Sequence, residues 1–351
     1  MIRVSAPARI CLLGDHQDYL GLPVIAGSID LYCYIEGRPI NAQELQFELR
    51  DLNTTRTLPL KPDAATIEKG DYLASTLVML ASKGITLESG YEISVHSTIP
   101  INAGISSSSA LIVAWIRFIL KATGVIATDL EIARWAHESE VIFFGEPGGI
   151  MDHYSIALGS LRVIEPATGN TQTLGHPEIP LLLAHSGLSK STLGVLSLAK
   201  ERALLALSAA QEVDSSFTYI NAQLSDIKRF EPILSRELFP YFEAAIENYT
   251  LTKKAIELLH SDQPSTAKLI DLCTLIGRHQ HFLDTAIKNT PELMSVQLEA
   301  GLAAGALAAK VIGSGGGGCF LLVAYPEKHQ AITAAIRAAG ARFVQPITLT
   351  D

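Results

Sequence analysis

The sequence predicts an α+β fold divided into two domains. Strand-like segments dominate the first third, helical periodicity follows, and the two types mix without the strict alternation of a doubly wound sheet. A chain of 351 residues with 48% hydrophobic residues is long enough for a sizeable core and for two domains. The segment 165–180 is rich in Pro, Gly and Thr, which is typical of a linker. We therefore expect an N-terminal domain over residues 1–175 and a C-terminal domain over 176–351.

Clusters of β-forming residues between Gly, Pro and Asn predict the strands. In chain order these are Ile2–Ala6, Leu31–Glu36, Leu45–Leu49, Tyr91–His96, Leu161–Ile164, Leu181–Ala184 and Cys319–Ala324. Apolar residues at helical spacing predict ten helices. These are Tyr72–Lys83, Ser107–Ala122, Asp129–Phe143, Met151–Leu158, Thr192–Gln211, Glu231–Asn248, Tyr249–His260, Ser265–Thr285, Pro291–Gly301 and His329–Ala338.

Charge and composition narrow the possible partners. The net charge of −9 and the absence of a basic block argue against a nucleic-acid partner. The longest apolar stretch, Ala110–Leu120, is interrupted by Arg117 and is shorter than the roughly 20 residues that cross a bilayer. No signal peptide is visible at the N-terminus, and the four cysteines are far apart in the sequence. We expect a cytoplasmic protein, without a membrane partner, that is a monomer or a homodimer.

The most informative segment is Ile99–Ala110, IPINAGISSSSA, which precedes an apolar helix. A glycine turn followed by small hydroxyl residues can hold phosphate at a helix N-terminus, where the dipole favours an anion. The pattern therefore predicts that the phosphates of a nucleotide bind at Gly104, Ile105, Ser106, Ser107, Ser108 and Ser109. The alternative is a buried helix whose serine acts only as an N-cap.

Two further segments give this loop a context. They are SAPARICLLGDHQDYLGLPVIAGSID at Ser5–Asp30 and VIGSGGGGCFLLV at Val311–Val323. In order and spacing, the three segments resemble the motifs of the GHMP kinase superfamily, and Gly14–Tyr19 resembles the galactokinase signature. The chain departs from that signature at Ala8, Cys11 and Asp15. The resemblance implies the two-domain GHMP kinase fold, with the active site in the cleft between the domains.

The resemblance also implies an activity, the ATP-dependent phosphorylation of a small-molecule hydroxyl with Mg²⁺. A galactokinase-like sugar 1-kinase is favoured. Mevalonate kinase is the alternative, and other sugar 1-kinases (arabinose, uronic acid or heptose type) stay open. A different class of hypothesis is a catalytically silent relative that binds sugar and nucleotide. A Rossmann dehydrogenase is disfavoured, because no Gly-x-Gly-x-x-Gly follows the first strand.

Asp152 and Arg9 are the catalytic residues that the resemblance implies. Asp152 ends a Gly-Gly-Ile-Met-Asp turn and matches the family's catalytic aspartate, although a helix N-cap is the plain alternative. Arg9 matches the cation beside that aspartate, where it would keep the carboxylate ionised. A surface arginine is its plain alternative.

The resemblance assigns the remaining site residues to ligands. Ser108 and Glu140 match the family's magnesium ligands, and Asp15, His16 and Asp18 match the acceptor-binding loop. Gly315 and Gly316 belong to a glycine run that closes against the nucleotide. The alternatives are a solvated helix acid for Glu140, turn-forming acids for the loop, and a flexible linker for the glycine run.

Two other segments have weaker assignments. His279 and His281 lie two residues apart on a helix and face different sides, so we expect a structural or surface role and no metal. The segment 185–192 follows a strand, opens a helix and could line the substrate cleft.

Overall fold

The structure is a computed structural model that describes residues 1–175, 177–189, 192–261, 263 and 265–351. The chain forms two compact units. Unit 1 consists of Met1–Arg9, Ser28–Ile101 and Ser106–Gly159. Unit 2 consists of Ile10–Gly27, Asn102–Ile105 and Ser160–Asp351. Both units contain helices and strands, which confirms the α+β prediction, and the domain boundary at residue 175 stays a prediction.

The element bounds are as follows. The strands are β1 (Ile2–Leu13), β2 (Val24–Ile40), β3 (Glu44–Leu49), β4 (Thr54–Pro59), β5 (Gly90–Ser97), β6 (Leu161–Glu165), β7 (Asn170–Thr173), β8 (Leu181–His185), β9 (Ala308–Val311), β10 (Cys319–Val323) and β11 (Phe343–Ile347). The α-helices are α1 (Tyr72–Ser82), α2 (Ser107–Thr123), α3 (Asp129–His137), α4 (Met151–Leu158), α5 (Thr192–Val213), α6 (Leu224–Phe230), α7 (Phe239–His260), α8 (Ser265–Phe282), α9 (Glu292–Ala303) and α10 (His329–Ala338).

Unit 1 is built on the strand order β4–β3–β5–β2, with β3 parallel to β5. Helix α2 is fixed in this unit by large buried rings. Trp115 packs edge-on against Phe47, and its indole N–H donates to the Leu73 carbonyl at 3.1 Å. Phe118 occupies the space beside Gly37, where an added Cβ would lie 2.6 Å from the ring. This packing fixes α2, and with it the position of the helix N-terminus at Ser107.

Unit 2 contains a separate antiparallel sheet in the order β11–β8–β10–β9. Strands β8 and β10 are buried along their whole length. The core on this sheet includes Val311, Phe320, Leu322, Ile332 and Ile336. Because β9 and β10 are adjacent and antiparallel, the glycine-rich segment between them forms the turn of a hairpin.

The structure corrects several predicted elements. The first strand continues to Leu13, and the helix that begins at Asp129 passes into a π-helical turn at Glu138–Ile142. Glu231–Asn248 and Tyr249–His260 are not two helices, since one continuous helix spans Phe239–His260. Its start is favoured by Pro240 in the first turn, because proline lacks only an N–H that is unused there. The predicted linker 165–180 contains β7, and β4, β9 and β11 were not predicted from the sequence.

None of the helices in the described part of the chain is both long and apolar enough to cross a membrane.

Candidate active site

The serine-rich segment turns sharply before it becomes a helix. Asn102, Gly104 and Ser106 have φ values of 55°, 81° and 62°, so three left-handed residues fall within five positions. The first intrahelical bond of α2 runs from the Ala110 N–H to the Ser106 carbonyl at 3.0 Å. The amides of residues 107–109 therefore precede the helical ladder, at the positive end of the helix dipole. This local geometry suits an anion.

Ser106 does not serve as a helix cap. It occupies the N-cap position of α2, yet its side chain makes no capping hydrogen bond. Its hydroxyl donates instead to Oδ2 of Asp152. The plain alternative, a serine that only caps a buried helix, is therefore wrong for Ser106.

Asp152 lies in the first turn of α4, where Ile150 occupies the N-cap position, so the capping alternative is wrong for Asp152 as well. Its two carboxylate oxygens pair with two nitrogens along one edge of the Arg9 guanidinium. Arg9 Nε lies 2.7 Å from Oδ1, and Arg9 Nη2 lies 2.9 Å from Oδ2. The Arg9 side chain is 4% exposed and that of Asp152 is 30% exposed. The surface-arginine alternative for Arg9 is thus also wrong, and part of the Asp152 side chain stays exposed.

The surroundings of Asp152 favour its ionised form. Burial alone would raise the pKa of this carboxyl, but the Arg9 charge and the hydrogen bonds from Arg9 and Ser106 lower the pKa to about 2. At neutral pH the group is a carboxylate with little tendency to take up a proton. Asp152 therefore provides a fixed negative charge and a hydrogen-bond acceptor.

Glu140 lies in the π-helical turn, a distortion that is frequent at functional sites. Its Oε2 accepts from Ser109 Oγ at 2.7 Å and contacts His153 Nε2 at 2.7 Å. Its side chain is only 12% exposed, so the solvated-acid alternative is wrong. The serine in contact with Glu140 is Ser109, whereas the family pattern pointed to Ser108, which is half-buried. Nothing in the sequence indicated His153 as the neighbour of Glu140.

A histidine pair stands next to this acid. The rings of His137 and His153 meet edge-on with centroids 5.3 Å apart. Burial, followed by the neighbouring His153, lowers the pKa of His137 to about 4. His137 is therefore neutral at physiological pH, and the negative charge of Glu140 is not offset by it.

The predicted acceptor loop, residues 14–19, lies in unit 2. Asp15 is fully buried there, with Oδ2 2.5 Å from Lys310 Nζ and Oδ1 2.5 Å from the Gly313 N–H. Burial acts to raise the pKa of Asp15, but the charge and hydrogen bond of Lys310, with smaller contributions from His279 and Cys11, together place the pKa below its ordinary value. Asp18, by contrast, is half-buried, and its Oδ1 accepts from the Tyr19 N–H at 2.9 Å.

Two histidines make contacts on either side of Asp15, one through Gly14 and one at position 16. His16 is buried, has a left-handed backbone with φ 64°, and its Nε2 lies 3.1 Å from the Ser314 carbonyl. His279 Nε2 accepts from the Gly14 N–H at 3.0 Å. Burial and the Lys310 charge lower the pKa of His279 to about 3, so its ring is neutral. His279 is buried and His281 is exposed, which confirms that the two face different sides.

The glycine-rich loop, residues 313–318, is packed too tightly to be a linker. The Gly316 N–H donates to the Asn289 carbonyl at 2.7 Å, and the Gly318 N–H donates to the Leu188 carbonyl at 3.1 Å. At Gly318, φ is +76° and an added Cβ would lie 2.5 Å from the Ala103 carbonyl oxygen. Only glycine fits such close approaches with this backbone. The flexible-linker alternative is therefore wrong.

Lys310 is the main site residue that sequence reasoning missed. It lies in β9 and is completely buried. Its ammonium group pairs with the carboxylate of Asp15, which lies 295 positions away in the sequence. A lysine is almost never fully buried without a partner, so a lone lysine in a small apolar strand before a glycine run was the available signal. For the segment 185–192, residues 190 and 191 lie outside the described residues, and its role stays a prediction.

Comparisons with known proteins agree with the three motifs. Family models match the chain for the GHMP kinases N terminal domain at residues 71–160, the GHMP kinases C terminal domain at 252–342 and the galactokinase galactose-binding signature at 2–39. A mevalonate kinase of Thermococcus onnurineus is 27% identical over 348 residues, covering 97% of this chain and 93% of that protein. A galactokinase of Thermotoga maritima is 31% identical over 182 residues, 52% of this chain and 50% of that protein.

The fold has solved counterparts. The crystal structure of Lactococcus lactis galactokinase complexed with galactose superposes with a TM-score of 0.85 at 19% identity, covering 99% of this chain and 92% of that one. The two matched family models, with the fold, define a small-molecule kinase. The chain belongs to the GHMP kinases, which are ATP-dependent phosphotransferases that act on hydroxyl groups.

Proposed function

We propose that this protein is a sugar 1-kinase, which transfers the γ-phosphoryl group of ATP to the anomeric hydroxyl of an aldose such as galactose. The observation that carries the transfer step is the Arg9–Asp152 pair, in which the Asp152 side chain is partly exposed. The galactose-binding signature over residues 2–39 supports a sugar acceptor. We further propose that this reaction takes place in the cytoplasm, as the sequence predicts.

Asp152 orients the acceptor hydroxyl. Phosphoryl transfer passes through a loose transition state, so the acceptor oxygen needs little negative charge before the phosphorus arrives. A carboxylate whose pKa is about 2 is a weak base, but it accepts a hydrogen bond from the hydroxyl and takes its proton late in the transfer. Arg9 keeps the carboxylate ionised and fixes both of its oxygens.

The helix N-terminus holds the nucleotide phosphates. Residues 104–109 offer main-chain amides, two half-exposed serines at 107 and 108, and no acidic side chain of their own. In this proposal Gly315 and Gly316 cover the nucleotide with a surface free of side chains.

The residues near Glu140 fit a magnesium ion. Glu140 supplies a carboxylate, and Ser108 or Ser109 supplies a hydroxyl, which are the hard oxygen ligands that Mg²⁺ prefers. No group of three or more His, Cys, Asp and Glu forms a metal cage within the described ranges, and Mg²⁺ usually binds through one or two carboxylates plus phosphates. When bound, the ion neutralises charge on the outer phosphates.

Mevalonate kinase is the second candidate function. The observation that favours it is the 27% identity to a mevalonate kinase along 97% of this chain. In the sugar proposal, Asp18 recognises the acceptor, because carboxylates hold vicinal hydroxyls by paired hydrogen bonds.

ADP release in the presence of ATP, Mg²⁺ and a panel of aldoses, uronic acids, a heptose and mevalonate tests this function. We expect turnover with at least one aldose, and less than a tenth of it in Asp152→Asn, with nucleotide binding retained. Turnover of mevalonate alone would overturn the sugar assignment. A silent protein that binds both ligands would overturn the kinase activity.

A further inference from the structure

Two functional loops of unit 2 are joined by polar contacts. The acceptor loop, residues 14–19, contacts the glycine-rich loop at two points, Gly313 and Ser314, and contacts Lys310 of the preceding strand β9 at a third. Asp15 accepts from Lys310 Nζ at 2.5 Å, Asp15 accepts from the Gly313 N–H at 2.5 Å, and His16 Nε2 lies 3.1 Å from the Ser314 carbonyl. One turn of the acceptor loop is thus attached to successive residues of the glycine-rich loop.

All hydrogen bonds of the Lys310 ammonium group are made to buried groups of the protein, and one of them goes to Asp15. The Lys310 side chain has no exposed surface, and its ammonium group donates to Cys11 O at 3.1 Å, Asp15 Oδ2 at 2.5 Å and Val311 O at 2.8 Å. All three N–H donors are therefore satisfied inside the protein. A buried ion pair is a poor source of stability, because desolvation offsets most of the attraction, but it fixes geometry.

Asp15 is not available to the acceptor in this arrangement. Its side chain has no exposed surface and each of its oxygens is already bonded. Asp18, in the same loop, is half-buried. Of the two acids that the family pattern points to, Asp18 is therefore placed to contact a ligand and Asp15 to hold the loop.

The other side of the glycine-rich loop is equally constrained. The Cys319 N–H donates to the Ala103 carbonyl at 2.7 Å, and the Gly316 N–H donates to the Asn289 carbonyl at 2.7 Å. These bonds hold the loop at Gly316 and at its end at Cys319, and the bond from the Gly313 N–H holds its start to Asp15.

We propose that Lys310 is a positioning residue: through Asp15 it locks the acceptor loop to the glycine-rich loop, so that nucleotide binding at one orders the other. The proposal rests on the proposed function, in which the acceptor binds at residues 14–19 and the nucleotide at the glycine-rich loop. The consequence is a positive coupling between nucleotide and acceptor, which is reciprocal by thermodynamic linkage.

The variant that tests this proposal removes both charges at once. Lys310→Met alone would leave Asp15 buried and unpaired and could prevent folding, whereas Asp15→Asn/Lys310→Met keeps the volume without an unpaired charge. The matched control is Asp214→Asn/Arg229→Met, which removes an ion pair of 2.8 Å in unit 2, on the surface. Circular dichroism and thermal melting confirm that each variant is folded.

Hydrogen exchange of residues 14–19 is measured with and without the non-hydrolysable ATP analogue AMP-PNP, and no acceptor. In the wild type and the control we expect the analogue to slow exchange in this loop at least about fivefold. In the double variant we expect less than a twofold change, although the analogue still protects residues 104–110. Equal protection of 14–19 in the wild type and the double variant overturns the proposal, as does no protection in the wild type.

Because no acceptor is present, this result does not depend on which compound is phosphorylated. Failure of AMP-PNP to protect residues 104–110 in the wild type would instead overturn the nucleotide site of the proposed function, and the coupling with it. A second readout is the Kd of AMP-PNP with and without the acceptor that the activity panel identifies. The acceptor should tighten Kd in the wild type and leave it within twofold in the double variant.

Discussion

The interaction between Arg9 and Asp152 should be measurable as a coupling energy. The pKa of Asp152 falls from an ordinary 3.8 to about 2 in the folded protein. At about 1.36 kcal/mol per pKa unit, this difference corresponds to about 2 kcal/mol of preference for the ionised carboxylate. This is a net value, because burial acts in the opposite direction, and Arg9 is the largest of the causes that lower the pKa. A double-mutant cycle should therefore give a coupling of about 2 kcal/mol or more.

The cycle uses Arg9→Met, Asp152→Asn and the double variant, with free energies of unfolding from urea titrations at pH 7. Each single variant leaves a mostly buried polar group without its partner and should lose about 3 kcal/mol or more. The double variant should lose less than the sum of the two. A matched cycle on the exposed pair Arg38–Glu92, which is 65% and 52% exposed, should give less than about 1 kcal/mol.

The pH dependence has a definite sign. Because folding lowers the pKa of Asp152, its contribution to stability is fully present above about pH 4 and is lost as the pH falls through about 2. The coupling should therefore be the same at pH 7 and pH 5. A coupling below about 0.5 kcal/mol, or one that disappears between pH 7 and pH 5, would refute the paired, ionised state of Asp152.

Three further predictions concern the metal, the acceptor and the glycine-rich loop. Glu140→Gln should raise the Mg²⁺ concentration for half-maximal activity about tenfold, because it removes a charged oxygen ligand. The same titration on Ser108→Ala and on Ser109→Ala identifies which serine contributes a ligand to the metal. Asp18→Ala should raise KM for the sugar at least tenfold and change KM for ATP less than twofold, measured by initial rates. Gly318→Ala should lower the melting temperature and reduce kcat/KM for ATP at least tenfold, because its Cβ would meet the Ala103 carbonyl.

Each of these three predictions has a control or an outcome that would contradict it. An unchanged Mg²⁺ dependence in all three metal variants would remove Glu140 and both serines from the metal site. Equal changes in the two KM values would place Asp18 outside the acceptor site. For the glycine, Gly124→Ala introduces the same strain at φ +72° with no atom within 4 Å of the added Cβ, so a similar loss of kcat/KM there would contradict the steric reasoning.

The sequence predicted those parts of the site that local patterns encode. The glycine–serine turn before an apolar run placed the start of α2 at Ser107, and the Gly-Gly-Ile-Met-Asp turn placed Asp152 in the first turn of α4. Helix α7 was split wrongly between Asn248 and Tyr249, since both residues are buried within one continuous helix.

Long-range pairing could not be predicted in the same way. The contact between Asp15 and Lys310 joins residues 295 positions apart, and nothing in either local pattern identifies the partner. The choice between Ser108 and Ser109 depends on the angle at which α2 meets the π-helical turn, and sequence spacing does not determine that angle. Similarly, the contact of His153 with Glu140 follows from a helix distortion that has no sequence signal.

The position of the phosphate on the product tests the central claim most directly. After incubation with ATP, Mg²⁺ and galactose, ³¹P and ¹H NMR should show the phosphorus coupled to the anomeric proton, and the reducing end should be lost. A phosphate on any other carbon, or phosphorylation of mevalonate with no aldose phosphorylated, would contradict the proposed sugar 1-kinase.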